Sequence, residues 1–331
     1  VIEEILVTAR NNAKIDPTLA IWSWEIPVYL FLGGITAGIM FFSALVILRK
    51  KEDQAPFAAY KLALWGPIAL TIGMVALFLD LEHKLFVYRF YTAFRPTSPM
   101  SWGGWILALV YPLNILLILA TLRLGYPSLA GYAERSGIGR WALDTAERFR
   151  NAIALANIPT AVGLGIYTGI LLSAFMARPF WNTGLLGPLF LISGLSTAAA
   201  LVVLLARKEA ERHMFTQIDV GLILIELVII VLLVINLATG PRQQLEAFRQ
   251  IFGGDYTAVF WVWFVTLGLL IPLVLEYREL KGKVAWVALA PVLVLVGGFV
   301  LRQAAVDLGQ VGNWTHYATQ YNPALLERLT Q

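Results

Sequence analysis

Trp24-Glu25-Ile26-Pro27-Val28-Tyr29-Leu30-Phe31-Leu32-Gly33-Gly34-Ile35-Thr36-Ala37-Gly38 begins a run that stays apolar to Leu48 and carries one charge, Glu25, at its start. About 20 such residues span the hydrocarbon layer of a bilayer as a helix. The run then breaks abruptly into Arg49-Lys50-Lys51-Glu52-Asp53. Trp24–Leu48 therefore reads as a transmembrane helix with a charged boundary, and the same pattern recurs along the chain. Further stretches lie at Tyr60–Leu79, Gly104–Leu122, Ala152–Phe175, Leu185–Ala206, Ile218–Ala238, Ala258–Tyr277 and Val284–Val306. The expected fold is an all-α integral membrane protein with eight transmembrane helices.

Composition agrees with that reading. Of 331 residues, 59% are hydrophobic and 14% charged, with mean hydropathy +0.72. An ordinary soluble domain carries about 25% charged residues, so a soluble enzyme is excluded. The net charge of +4 gives no argument for nucleic acid. The chain has no cysteine, which excludes disulfides, iron–sulfur clusters and thiolate zinc sites of its own. Haem between membrane helices needs inward-facing axial ligands, usually a histidine pair. The three histidines are His83 at a helix end, His213 in a loop and His316 in the tail, so haem is not expected, nor any metal. The first residues, Val-Ile-Glu-Glu, do not resemble the basic start of a signal peptide.

Orientation follows from Lys and Arg, which collect on the cytoplasmic side. The loops after helices 1, 3, 5 and 7 hold 15 of the 25, and the remaining segments hold 10. Both termini are thus expected outside, which in a bacterial inner membrane means the periplasm. The expected organisation is a periplasmic segment at 1–23, a four-helix bundle at 24–176, a second at 177–306 and a periplasmic tail at 307–331. Leu30–Gly38 and Phe190–Ala198 share an apolar triplet, a small residue, Gly, an aliphatic residue, a hydroxyl and two small residues. The two bundles therefore read as parallel repeats, although small residues also suit close helix packing of any kind.

Ionisable residues within a membrane are costly, so each is a functional candidate. Glu25 opens helix 1 and Asp80 closes helix 2, both on the outer side. A carboxylate pair there, with His83 in Asp80-Leu81-Glu82-His83-Lys84, could exchange protons with a quinone headgroup. Glu25 reads equally as a helix N-terminal carboxylate. Asp80 sits against the helix dipole and needs compensation, which favours a functional role. Tyr167, in the outer half of helix 4, could donate to a quinone carbonyl, although an interhelical bond is the commoner fate of such a phenol. Glu226 lies about 12 Å into helix 6 at the usual helical rise, among Ile, Leu and Val. It reads as a proton relay or as an interhelical hydrogen-bonding group. Arg302 is expected toward the outer side, snorkelling or paired with Asp307.

These residues also carry a resemblance. Trp24 through Gly34, Asp80-Leu81, Ser98-Pro99-Met100-Ser101-Trp102-Gly103, Tyr167 through Ser173, Pro188 through Gly194, Glu226, Leu301-Arg302 and Gly309-Gln310 together resemble the NrfD/polysulfide-reductase-type membrane subunits. The resemblance spans nearly the whole chain. It implies eight helices in two bundles, electron exchange with menaquinone or a related quinone, and no redox metal in this subunit. It also implies a periplasmic iron–sulfur partner of several clusters, leading to a molybdenum-pterin or multihaem catalytic subunit. The family's quinone pocket carries over most directly to Asp80 and Tyr167, with Glu25 beside them, while His83 departs from the family's more common residue. The resulting expectation is a quinone-linked oxidoreductase subunit of a respiratory complex. Residue pattern alone also admits a secondary transporter or a passive membrane anchor.

Overall fold

The computed structural model describes residues 22–175, 178–282 and 288–311. Expectations for 1–21, for the start of the eighth helix at 284–287 and for most of the tail, His316 included, lie outside the described residues.

Eight helices are long and apolar enough to cross a membrane: α1 Glu25–Leu48, α2 Leu62–Asp80, α3 Pro99–Gly125, α4 Arg150–Ser173, α5 Leu186–Leu205, α6 Glu209–Thr239, α7 Ala258–Leu280 and α8 Leu289–Gln310. In hydrocarbon every backbone donor and acceptor must be satisfied internally, and a helix does this within one segment. No strand occurs among the described residues. Most ends fall within a few residues of those read from hydropathy. Three differ more. α3 begins at Pro99, five residues early, because Pro99 supplies the fixed φ of a first helical turn. α6 begins at Glu209, nine residues early, because its polar first turns continue the helix past the apolar stretch. α8 continues to Gln310, past Val306. α7 starts with a π-helical run, Ala258–Leu270, and turns α-helical at Ile271.

α1 and α5 form the centre. α1 packs on α2, α4, α5 and α8, and α5 packs on α6, α4, α8 and α1. α3 lies against α4, and α7 against α8. Glycine makes the central seam. A Cβ on Gly38 would overlap Ala198 and the Gly194 carbonyl, and one on Gly194 would lie 2.7 Å from the Gly34 carbonyl oxygen. Only residues without a side chain let two helices approach this closely. The seam contains the two Gly motifs whose likeness is visible in the sequence.

One charged feature fixes the end of the molecule opposite Glu25 and Asp80. Arg123, at the end of α3, binds Glu134, Asp144 and Glu147, each at 2.7 Å. This clamp ties the connecting helix Gly137–Arg148 to α3.

Candidate functional site

The first four helices converge around a cavity of about 540 Å³ at the end where α1 begins and α2 stops. Small-molecule sites commonly measure about 300–1,000 Å³. Its walls are mostly apolar, from residues such as Trp22, Met74, Phe78, Leu107 and Leu172. Its polar groups are few: Tyr29 of α1, Thr71 of α2, Asp80 and Glu82 at and just beyond the end of α2, Tyr91 of the α2–α3 connection and Tyr167 of α4.

The local sequence explains these placements. Tyr29 and Ile26 lie one turn apart, so both face inward from the first turns of α1. Asp80 is the last residue of α2; Leu81 turns extended and ends the helix there. The Tyr167 ring lies directly over Gly103 of α3, where a Cβ would overlap the phenol. Neither the Tyr29 nor the Tyr167 hydroxyl makes a hydrogen bond to another described residue. Both are therefore donors facing open space within an apolar enclosure.

Of the residues singled out from sequence, Asp80 and Tyr167 line this cavity together. Glu25 does not line it, but its charge acts on Asp80, and its Oε2 is buried with no hydrogen-bond partner. His83 is exposed, edge-on to Phe86 with ring centroids 6.4 Å apart, and does not line the cavity; Glu82 does. Tyr29 and Tyr91 were not read as site residues. Aromatic residues are common at helix ends, and only the fold shows which of them share one enclosure. A carboxylate beside free phenols in an apolar chamber can accept a proton and hold carbonyl or hydroxyl groups in place.

The second four helices contain buried charge. The Arg302 guanidinium of α8 is fully buried. Its Nη1 donates to Ser193 Oγ at 2.6 Å and to the Gly298 carbonyl at 2.8 Å, and its Nη2 donates to the Phe190 carbonyl at 3.1 Å. Glu226 shares Ser193 with Arg302, and their charges interact. Asp219 lies two helical turns before Glu226 and accepts from Ser196 Oγ at 2.5 Å, while Glu276 of α7 faces it. The expected pairing of Arg302 with Asp307 does not form; Asp307 accepts from Gln303 Nε2 at 2.8 Å. The reason is depth: Arg302 turns toward α5, whose Phe190 carbonyl and Ser193 hydroxyl it reaches. Asp219 and Glu276 went unread, although each is a carboxylate inside an apolar stretch, which is signal enough. Among the described residues, no three His, Asp or Glu side chains gather as a metal site.

Fold and site together define a multi-pass membrane protein with a small-molecule-sized chamber at one end of its first four helices and a buried ionic cluster in its other half. Residues 12–312 match the polysulphide reductase, NrfD family, and the chain belongs to that family. It is 29% identical over 308 residues to Protein NrfD of Escherichia coli, covering 88% of this chain and 95% of that protein. It is 25% identical over 303 residues to the C polypeptide of polysulfide reductase from Wolinella succinogenes, with 88% and 94% covered. The C polypeptide of tetrathionate reductase from Salmonella typhimurium is 29% identical over 287 residues, with 81% and 72% covered.

Proposed function

We propose that this chain is the membrane subunit of a respiratory oxidoreductase complex, exchanging electrons and protons with menaquinone or a related quinone in the α1–α4 cavity. One observation carries the reading. Asp80, Tyr29 and Tyr167 are among the few polar groups of a mostly apolar chamber, and both phenols lack partners among the described residues. That set fits a flat apolar ring with two oxygens. The quinone supplies the redox chemistry, two electrons with two protons.

The chain's own residues do the rest. Tyr167 and Tyr29 donate hydrogen bonds that orient the headgroup. Asp80 accepts a proton, and its position at the helix end, next to exposed Glu82, lets that proton leave toward water. Glu25 tunes Asp80 through its charge, and His83 stands outside the cavity on the exposed connection. Glu226 serves as a proton relay, supported by its burial and its link to Arg302 through Ser193.

In this reading both termini face the periplasm of a bacterial inner membrane, supported by the Lys and Arg distribution. The two halves are parallel repeats, supported by the same order of helix pairing in each. The partner is a periplasmic iron–sulfur subunit leading to a molybdenum-pterin or multihaem enzyme. It docks on residues 81–103, where Leu85, Phe86, Tyr88 and Phe94 are exposed and Arg89 stacks on Phe86 at 4.5 Å. Phe90 and Tyr91 of the same segment line the cavity, so a cluster docked there would be close to the quinone.

The test is extraction of the purified protein with organic solvent, followed by titration of the extracted protein with a menaquinone analogue. Near-stoichiometric quinone and saturable binding lost in Tyr167→Ala are the expected results. A protein that carries none and binds none refutes the reading.

A further inference from the structure

We propose that the connection between α3 and α4, residues 126–149, is a binding surface for anionic phospholipids of the leaflet opposite the chamber. The inference stands on the α3–α4 end of the molecule and is independent of the quinone reading.

The connection separates its charges by side. Its three carboxylates, Glu134, Asp144 and Glu147, all turn onto Arg123 of α3. Its three arginines, Arg135, Arg140 and Arg148, are exposed. The other ion pair among the described residues joins Arg150 to Glu52, so none of these three arginines has a carboxylate partner there. A segment whose formal charges cancel therefore presents an uncompensated cationic face. Two of its guanidinium groups lie over neighbouring rings, Arg135 over Tyr132 at 5.6 Å and Arg148 over Phe149 at 5.8 Å. Arg140 gives one N–H to the Glu134 carbonyl at 3.4 Å. Each guanidinium keeps further N–H groups in a planar fork, which matches two oxygens of a phosphate.

Apolar side chains stand among those cations. Ile138 is 82% exposed and Trp141 68%, one turn apart on the helix Gly137–Arg148. The opposite face of this helix is buried, with Leu143 packed on Leu122 and Ala130 and backed by Ile118 and Leu119. Ile118, Leu119 and Leu122 belong to the last two turns of α3, so the helix folds back along α3 and does not stand clear of it. The 27 residues of α3 rise about 40 Å, the thickness of a bilayer together with its headgroups. The connecting helix is thus held at headgroup level, with Ile138 and Trp141 facing away from the protein. A helix carrying Arg and Trp in this way lies in the interfacial plane. A soluble partner has to displace lipid to reach that depth. A phospholipid is already there, and an anionic one satisfies both halves of the surface: its phosphate meets the arginines and its upper acyl chain meets Ile138 and Trp141.

The test titrates the full chain in detergent with dioleoyl-phosphatidylglycerol and, separately, with zwitterionic dioleoyl-phosphatidylcholine, counting bound lipid by native mass spectrometry. The anionic lipid should bind its tightest site at least tenfold more strongly. Arg135→Gln, Arg140→Gln and Arg148→Gln together should remove most of that preference, since each basic residue near an anionic surface contributes about fivefold. Arg49→Gln, Lys50→Gln and Lys51→Gln together remove three exposed cations at the same end of the molecule and should leave the preference in place. Equal binding of the two lipids, a preference that survives the first triple change, or one lost equally in both triples overturns the proposal. Because the chain has no cysteine, Ile138→Cys carries a single bimane label and gives a second test that needs no charge change. In phosphatidylglycerol vesicles the label should be quenched by a headgroup nitroxide lipid and shielded from acrylamide in the water. Full quenching by acrylamide with none by the nitroxide places the helix in water, where a soluble partner or a second copy is its occupant, and the lipid proposal fails.

Discussion

Gly103→Ala adds one methyl group at the point where the structure leaves no room for it. The new Cβ would overlap the ring and hydroxyl of Tyr167. The ring cannot retreat with its backbone, because α4 is pressed against α5 on both sides of Tyr167. A Cβ at Gly165 would already overlap Leu191, and one at Gly169 would overlap the Leu186–Gly187 backbone. The phenol must therefore swing into the cavity, where a headgroup would sit. Overpacking of this kind costs about 1–3 kcal/mol. If that strain falls on the bound state, at about 1.4 kcal/mol per tenfold change, Kd rises about 5- to 150-fold. Helix propensity acts the other way on the fold, since Ala replaces Gly inside α3 with a gain of up to about 1 kcal/mol. The signature is thus weaker quinone binding without lower thermal stability. Quenching of the tryptophan emission by a menaquinone analogue measures the first, and a melting curve in detergent the second. In a Tyr167→Ala background the same change should add nothing. A Kd within twofold of the unaltered protein would falsify the placement of Tyr167 at the ligand.

Asp80→Asn keeps shape and hydrogen bonding but cannot take up a proton; quinol-linked turnover should fall about 100- to 10,000-fold while complex assembly, checked by native gel, persists. Normal turnover in that variant would transfer the proton-accepting role to Glu25 or Glu82. Arg302→Met should cost about 3–5 kcal/mol, because it strands Glu226 in apolar surroundings. Arg302→Met with Glu226→Met should recover most of that in the same denaturation assay, and equal loss in both would mean the two charges are not coupled. Alkaline phosphatase fused after Gln331 should be active as an exported enzyme, whereas the same fusion within residues 126–149 should be inactive; the reverse pattern would invert the topology.

The helices were legible because hydrocarbon thickness imposes one rule on all of them, an uninterrupted apolar run, and that rule is written in composition. Their ends were less so. Glu209–Gln217 reads as a polar loop, yet it extends α6, since helix formation outside the membrane needs no apolar residues. Asp80 and Tyr167 could be singled out because each is unusual where it stands. Tyr29 and Tyr91 could not, because an aromatic residue near a membrane face is ordinary until the fold sets it with Tyr167 around one cavity. Arg302 shows the opposite difficulty. Its sequence neighbour Asp307 offered an obvious partner, but the actual partners are Ser193 and Phe190, more than a hundred residues away, and only helix packing brings them together.

The same packing puts Arg302 where its charge has an effect beyond its own hydrogen bonds. Its Nη2 lies only 3.0 Å from the point a Cβ of Gly34 would occupy, so the guanidinium is lodged against the glycine seam between the two halves. A charge lodged there also acts on Glu226, which shares Ser193 with it. The joint between the halves is thus both a mechanical contact and a seat of positive charge, so a substitution that opens the glycine seam also changes the field at Glu226.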